Sequence, residues 1–288
     1  MVLRNYFNFL NDLTIYLFDK LRKFYLKFSY YNKKISKTDN KILEYKPSPS
    51  LLGSLIKYEK KNKIDDFYIN SIWINEKLKE NEYKKLHNFF WLFTLDLKSS
   101  KKIIHSIIQN WMDKNQNFNK KNWEIDILSK RIISWICNSK LTYEEANNKY
   151  KKNFNFIIKK QINHLINEIN RSEHVNDKVI GCTSIILVGL SYKDEKFLNY
   201  GLNLLKKIIN YSITNEGFPK SRSFRQLVFY LKYFVLIREF LKESQNNIPD
   251  YLNEAIFYLG RGYNLLWQNT NVSYLFNGNH DESYSDLD

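Results

Sequence analysis

The chain has 288 residues, of which 43% are hydrophobic and 16% aromatic, and its formal net charge is +15. This apolar content excludes general disorder, because it is enough to bury a sizeable core in one large domain or two small ones. Only 8 Gly and 4 Pro are present. Since β-rich folds need turn residues about every 8–12 positions, this scarcity predicts an all-α fold with long helices.

The excess of 45 Lys and Arg over 30 Asp and Glu favours an anionic partner: an acidic polysaccharide, a nucleic acid or an acidic membrane surface. The alternative is a chain-wide drift towards Lys, Asn, Ile, Tyr and Phe, which raises the net charge without building a site. Nucleic acid is the least favoured partner, because the lysines are interleaved with acids, as in residues 76–80. The chain also has no helix-turn-helix or RNA-binding signature.

Residues 3–28 predict a basic amphipathic helix. Polar residues interrupt its apolar run, so it is neither a clean signal peptide nor the ~20 continuous apolar residues of a membrane span. We expect the helix to pack on the rest of the domain, and contact with a membrane surface is the alternative. Residues 32–50, which are polar and contain Pro47 and Pro49, predict an extended connection. The missing export signal favours the cytoplasm over the periplasm.

Apolar residues then recur at helical spacing along the chain. The first stripe consists of Leu86, Phe89, Phe90, Phe93 and Leu97. The same periodicity predicts helices over 104–111, 127–136, 154–169, 177–191, 195–213, 223–243 and 249–267. Short polar connections join antiparallel neighbours, so the chain reads as successive helical hairpins. Periodicity alone leaves a ring of hairpins and an irregular bundle both open.

Two cysteines, Cys137 and Cys182, fall in apolar helical contexts, which predicts buried free thiols. No Cys/His cluster has the spacing of a zinc site, and no His has the helical partner of a metal-binding pair. We therefore expect no metal and no cofactor.

Four short segments, in order along the chain, resemble the heparinase II/III-like family of polysaccharide lyases, particularly an uncharacterised bacterial branch. They are Leu86-His-Asn-Phe-Phe-Trp91-Leu, the run from Trp123 through Arg131 to Trp135, Glu216-Gly217-Phe-Pro-Lys-Ser221-Arg222-Ser223, and Leu275-Phe276-Asn277-Gly278. The resemblance implies that residues 51–280 form an incomplete (α/α) toroid, after an N-terminal helix and linker at 1–50. In full-length members a β-sandwich follows, where this chain has only a tail at 281–288.

The resemblance also implies β-elimination on acidic polysaccharides, in which a base removes the proton beside a uronate carboxylate and an acid protonates the leaving oxygen. Lyases of this type use a Tyr and an Asn, Glu or His from the toroid, and a His from the β-domain. Here Glu216, Phe218, Pro219 and Phe224 replace the family's Asp, Gly, His and Pro. The domain is therefore expected to be incomplete or inactive alone, and a separate β-sandwich domain would complete such a site. Whether the chain is an enzyme stays open.

Five residues are candidates for substrate binding: Arg222, Ser221, Asn277, Trp123 and Arg131. Arg222 offers a bidentate fork to a carboxylate, while its neighbouring serines also suit the N-cap of a helix. Arg131 lies on an apolar stripe, where a structural ion pair, with Glu124 or Asp126 or with a residue far along the chain, is favoured over a substrate contact. Trp123, at a helix start, is the tryptophan expected to be exposed for sugar stacking, whereas the others suit the core.

Catalytic residues stay unknown. Tyr230 is a weak candidate because the chain is rich in Tyr and a buried phenol is the default. His280 has acidic neighbours, but it lies in a terminal tail, which is usually mobile. Three functions therefore remain in order: a carbohydrate-active toroid domain, a non-catalytic glycan- or protein-binding helical domain, and charge-driven nucleic-acid binding.

Overall fold

A computed structural model describes residues 2–48, 51, 78–95 and 98–267. The chain begins with helix α1 (Val2–Tyr25) and the short helix α2 (Ser29–Ile35). A segment without helix or strand follows at 37–48. It begins later than the extended connection predicted at 32–50, because residues 32–35 belong to α2. Its Glu44 and Tyr45 amides both donate to the carbonyl oxygen of Ser191, at 2.8 and 3.2 Å.

The remaining described residues form a succession of helices. They are α3 (Glu80–Asn88), α4 (Lys101–Asn115), α5 (Ile125–Cys137), α6 (Ser139–Thr142), α7 (Asn148–Glu168), α8 (Val175–Ser191), α9 (Glu195–Ser212), α10 (Phe224–Glu243) and α11 (Asp250–Trp267), with 3₁₀ turns at Phe90–Thr94 and Ile169–Arg171. From α8 onwards these bounds lie within two residues of those that the hydrophobic periodicity predicts.

Side-chain caps fix where several helices begin. The Asn147 side-chain oxygen accepts from the backbone amide of Tyr150 at α7. The Asp194 carboxylate accepts from the amides of Lys196 and Phe197 at α9. Each cap satisfies backbone donors that have no partner inside the helix, which contributes about 1 kcal/mol.

The helices form two layers, with α5, α8 and α10 inside. These three run in the same direction. Near their N-termini the Gln226 side-chain nitrogen donates to Asn176 at 3.1 Å. At the other end Glu243 of α10 lines one recess with Leu190 of α8, and burial, then the charge of Glu243, raises the pKa of Cys137 of α5. Helix α8 lies at the centre, since every residue from Val179 to Tyr192 is buried. Helices α4, α7, α9 and α11 lie outside as the antiparallel partners.

Two glycines let α8 and α9 pack at close range. A Cβ added at Gly189 would lie 2.5 Å from the Leu198 backbone nitrogen, and one at Gly201 would lie 2.6 Å from the Ile186 side chain. The contacts pair the end of α8 with the start of α9, which is the antiparallel order of a hairpin. The hairpin is therefore held at a distance that only glycine permits.

The predicted all-α fold of antiparallel helical hairpins is confirmed. Ile213 and Pro219 form an isolated antiparallel bridge. The predicted burial of both cysteines as free thiols is also confirmed, for Cys137 and Cys182. No helix among these residues is both long enough and apolar enough to cross a bilayer.

One expectation is wrong, and a second holds only in part. The stripe that starts at Leu86 does not form one helix, because Phe89 adopts a left-handed backbone (φ 61°) that ends α3 and begins the 3₁₀ turn; Leu97 lies outside the described residues. The packing of α1 on the domain is also incomplete. Leu26 is buried, but Leu17 and Leu21 are 50% and 64% exposed.

Candidate functional site

The N-terminal ends of the three inner helices meet along one edge of the domain. We call this edge the rim, and we define it by Asp126 and Lys130 of α5, Asn176 and Asp177 of α8, and Ser221, Arg222 and Gln226 at the start of α10. Backbone amides at helix N-termini point outwards with a partial positive charge, which favours negatively charged ligands.

A tight turn before α10 presents Ser221 and Arg222 at the rim. The Thr214 amide donates to the Phe218 carbonyl oxygen at 2.8 Å, and the Gly217 amide donates back to Thr214 at 3.0 Å. Gly217 has φ +83°, and a Cβ there would collide with Tyr258 of α11. Glycine is thus required both for the backbone conformation and for the contact that seats the turn on α11.

Arg222 has an unusual backbone for its place in the chain. Its φ is +56°, its side chain is exposed, and its amide donates to the Pro219 carbonyl oxygen at 2.8 Å. Other described non-glycine residues with positive φ follow the ends of helices, where left-handed residues are usual. They are Phe89, Glu145, Lys193 and Gln245. Arg222 instead precedes a helix, and the conformation costs a side-chain-bearing residue about 1–2 kcal/mol.

A chain of side-chain hydrogen bonds joins α10 to α8 behind Arg222. The Ser221 hydroxyl donates to the Gln226 side-chain oxygen, and the Gln226 side-chain nitrogen donates to Asn176 at 3.1 Å. Ser223 caps α10 by accepting from the Gln226 amide at 3.3 Å. These bonds fix the turn to α8 and α10, and they therefore hold the backbone of Arg222 in place.

The rest of the rim is electrostatically mixed. Lys130 pairs with Asp126 at 2.9 Å. Burial, and then the nearby charge of Asp126, raises the pKa of Asp177 above its usual range, although His174 and Lys130 partly oppose this. The Ser172 hydroxyl lies 3.4 Å from the Asp177 carboxylate. A carboxyl group that holds its proton more tightly than usual is a common feature of functional sites, but structural networks also produce it.

Arg131 does not reach the rim surface, and the predicted ion pair with a nearby acid is wrong. Its side chain is fully buried, and it donates to the backbone oxygens of His87 and Asn122, each at 3.0 Å, and to the Gln161 side chain at 3.3 Å. Its guanidinium lies 4.1 Å from the Trp111 ring centroid. Among the described residues, the ion pairs of Asp126 and Glu124 are instead with lysines.

This buried network favours neutral partners around one positive charge. Trp111 donates its indole N–H to Nδ1 of His87 at 3.1 Å. Burial, and then the charge of Arg131, lowers the pKa of His87 to about 3. Burial lowers the pKa of Arg131 to about 9. Because this value is still above 7, the guanidinium is charged at neutral pH. The network therefore stabilises the packing of α3, α4 and α5 and offers nothing to a ligand.

The expected exposure of Trp123 is wrong. Its side chain is 2% exposed, its indole N–H donates to the Asn115 carbonyl oxygen at 3.4 Å, and its ring packs edge-on against His164. The connection between α4 and α5 folds back over the body, which buries this ring. Trp111 and Trp135 are buried as expected, and Trp91 is partly exposed.

Tyr230, one of the two catalytic candidates, does not reach the rim. Tyr230 is 1% exposed and stacks on Phe234, and burial raises its pKa to about 12. His280 and the substrate-binding candidate Asn277 lie outside the described residues. Trp73 also lies outside them.

Sequence reasoning missed Asn176 and Asp177. Their signal was weak, because two polar residues at the start of a helix are ordinary. What distinguishes them is that the starts of α5 and α10 lie beside them, which depends on tertiary packing. No group of three or more metal-ligating side chains occurs in the part of the chain that the structure describes.

Two surface recesses formed by described residues lie away from the rim. One, of about 400 Å³, runs along α11 beside Phe257 and Arg261. The other, of about 600 Å³, lies at the opposite ends of the inner helices, beside Tyr45 and Glu243. In the second recess Glu243 accepts from the Tyr45 hydroxyl at 3.0 Å.

With this geometry in hand, the fold can be compared with solved structures. The crystal structure of heparan sulfate lyase HepC from Pedobacter heparinus is similar, with a TM-score of 0.53 and 13% sequence identity. The likeness shows the fold. It covers 83% of this chain and 43% of the lyase, so the chain spans less than half the length of that enzyme. No protein-family model matches the sequence, and no curated protein matches it.

Proposed function

We propose that this chain is a lyase-like helical domain that binds acidic polysaccharide at the rim and does not catalyse β-elimination on its own. The observation that carries the proposal is the exposed Arg222, held in a left-handed conformation just before α10, where the start of α10 is bonded to the start of α8. The fold adds support, because the similar enzyme acts on heparan sulfate, an anionic glycan.

Carboxylate and sulfate groups suit this place for two reasons. Arg presents a planar fork that can bind either group through two charge-assisted hydrogen bonds. The amides and partial positive charge at the starts of α5, α8 and α10 favour the same ligands. The net charge of +15 would increase the rate of encounter with a polyanion.

We expect no elimination by this chain alone, because the described residues that define the rim include neither a Tyr nor a His to act as the base. A proton-abstracting site needs a base within hydrogen-bond reach of the substrate and a group that stabilises the developing charge. Among the described residues, the tyrosine candidate Tyr230 is buried. A second domain that supplies a His, such as the β-sandwich expected from the family resemblance, would have to complete the reaction.

The test is a calorimetric titration with heparin, with a uronate polymer and with neutral dextran. We expect binding to both acidic polymers and none to dextran. Arg222→Gln should weaken binding roughly 10- to 100-fold, since a hydrogen bond to a charged group contributes about 1.5–3 kcal/mol. Lys242→Gln, which removes one exposed positive charge at the opposite end of α10, is the matched control and should change binding little.

Equal weakening by the two variants would show diffuse charge attraction and would contradict a site at the rim. Absence of binding to every acidic polymer would reject the proposal altogether. A separate incubation follows the ultraviolet absorbance of unsaturated uronate. We expect no increase with this chain alone, and an increase would show that the chain is a complete enzyme.

A further inference from the structure

Helix α1 carries a row of apolar side chains that faces solvent. Leu13, Leu17, Leu21 and Phe24 are 42%, 50%, 64% and 61% exposed, and we call these four the α1 apolar face. They follow one another at steps of four, four and three residues, which places them on one side of the helix. Contiguous exposed apolar residues mark a surface that contacts another partner.

The opposite side of α1 attaches the helix to the domain. Arg22 donates through Nε to the Glu168 carboxylate of α7 at 2.9 Å, and its guanidinium also lies over the rings of Tyr25 and Tyr31. Leu26, which follows the helix, is buried. These contacts fix the rotation of α1, so the α1 apolar face points away from the body.

Large aromatic side chains widen this surface. Tyr16 and Phe18 flank the α1 apolar face and are 54% and 70% exposed, and just beyond the helix Phe28 and Tyr30 are 47% and 68% exposed. A helix that pairs with another helix usually offers a narrow seam of aliphatic residues. A wide apolar side with aromatic flanks is typical of helices that lie in the interface of a lipid bilayer.

The charge of this region favours a lipid bilayer over a second copy of the helix as the partner of the α1 apolar face. Residues 13–37 contain seven basic residues and one acid, Asp19, for a net charge of +6. The basic residues are Lys20, Arg22, Lys23, Lys27, Lys33, Lys34 and Lys37. A second copy of the chain would bring like charges together, whereas an anionic lipid surface attracts each Lys near it by about 1 kcal/mol.

We propose that α1 is a membrane-surface anchor that lies in the headgroup region of an anionic bilayer, with the α1 apolar face towards the acyl chains. Lys20, Lys23 and Lys27 contact the lipid headgroups. Arg22, which is paired with Glu168, keeps the helical domain attached above the surface. This function is independent of the rim, because the anchor is built from the first two helices alone.

The test is a flotation assay of the full chain with vesicles of phosphatidylcholine containing about 30% phosphatidylglycerol, and with vesicles of phosphatidylcholine alone. We expect strong binding to the anionic vesicles and weak binding to the neutral ones. The triple variant Leu17→Gln, Leu21→Gln and Phe24→Gln should lower the partition coefficient at least about 100-fold, since each buried apolar side chain contributes roughly tenfold or more. Gln keeps the helix propensity of these positions, so the fold should be retained.

A second triple variant, Lys20→Gln, Lys23→Gln and Lys27→Gln, tests the charge. It should lower binding to anionic vesicles about 100-fold and change binding to neutral vesicles little. The control is Phe257→Gln with Tyr258→Gln, which removes two exposed aromatic side chains of α11 (63% and 41% exposed) and should not change vesicle binding.

Three results would overturn the proposal. The first is failure of the unmodified chain to float with anionic vesicles. The second is an equal loss of binding in the α11 control. The third is a dimer in sedimentation equilibrium that the apolar triple variant dissociates, without vesicle binding, since this would assign the α1 apolar face to a second copy of the chain.

Discussion

The two arginines of the inner layer that sequence reasoning selected lie in opposite environments. Arg131 of α5 is fully buried between α3, α4 and α7, whereas Arg222, just before α10, is exposed at the rim. The first supplies three hydrogen bonds to oxygens of the domain itself. The second is held in place through its backbone amide and the neighbouring Ser221.

The difference shows how a charge is kept inside a helical body without an acid. Two backbone oxygens, one side-chain amide and the Trp111 ring surround the Arg131 guanidinium. Helix α3 ends at Asn88, just after His87, and the His87 carbonyl oxygen, in the last turn, accepts from Arg131. A buried arginine of this kind stabilises the fold, and an exposed one is available to a ligand.

Arg131→Met should have the largest effect on stability. The variant removes the donor to His87, Asn122 and Gln161 and leaves three buried acceptors without their hydrogen bonds, for an expected loss of about 3–5 kcal/mol. Urea unfolding followed by tryptophan fluorescence measures it. Arg131→Lys keeps the charge but not the fork, so an intermediate loss is expected, and a loss below about 1 kcal/mol for Arg131→Met would refute the structural role.

The second-largest loss of stability should come from acid, which protonates two buried histidines when the chain unfolds. Burial lowers the pKa of both His87 and His164 to about 3, against about 6.5 in the unfolded chain. Between these values the unfolded state binds protons that the folded state does not, so stability is full above about pH 6.5 and falls as the pH falls towards 3. The loss is up to about 1.4 kcal/mol per His for each pH unit.

Comparing unfolding at about pH 7 and about pH 4.5 should show up to roughly 2–3 kcal/mol lost for each of these histidines. His164→Gln can still bond to the Tyr31 hydroxyl, which lies 2.7 Å from Nδ1 of His164, but it does not titrate. Its stability should therefore fall less with acid than that of the unmodified chain. The same pH dependence in both would show that His164 takes up no proton on unfolding, so that its pKa is not lowered in the folded chain.

Periodicity was enough to predict most of the helices because burial repeats with the helical period, and α8 to α11 follow it closely. It failed at Phe89, where a left-handed residue breaks an apolar run that continues without interruption in the sequence. A single backbone angle of this kind has no signature in the pattern when the residue is not glycine.

The candidate site was predicted less completely than the fold. Ser221 and Arg222 were selected because they lie in a segment that resembles the heparinase II/III-like family, and because serines there suit a helix N-cap. Asn176 and Asp177 could not be predicted from the sequence, because their place beside α10 depends on which helices become neighbours. The partners of Arg131 could not be predicted either, since two of them are backbone oxygens that every residue carries.

Gly189→Ala tests whether the inner and outer layers are held at a fixed distance. The added Cβ would lie 2.5 Å from the Leu198 backbone nitrogen, so α9 must move, at an expected cost of about 1–3 kcal/mol. Gly260→Ala in α11 is the matched control, because its Cβ would meet nothing within 4 Å and Ala favours helix by up to about 1 kcal/mol. Equal effects of the two variants in urea unfolding would contradict the close-packing explanation.

Arg222→Gly should separate binding from stability at the rim. Glycine adopts φ +56° without the strain of about 1–2 kcal/mol that a side chain brings, although it costs about 0.5–1 kcal/mol in unfolded-state entropy. The net change in the free energy of unfolding should thus lie between zero and a gain of about 1.5 kcal/mol, while affinity for heparin falls as for Arg222→Gln. A clear loss of stability would mean that the arginine side chain supports the turn, in which case its left-handed backbone would be explained by structure and not by a ligand. Arg131 would then be no exception, and both arginines of the inner layer would serve the fold.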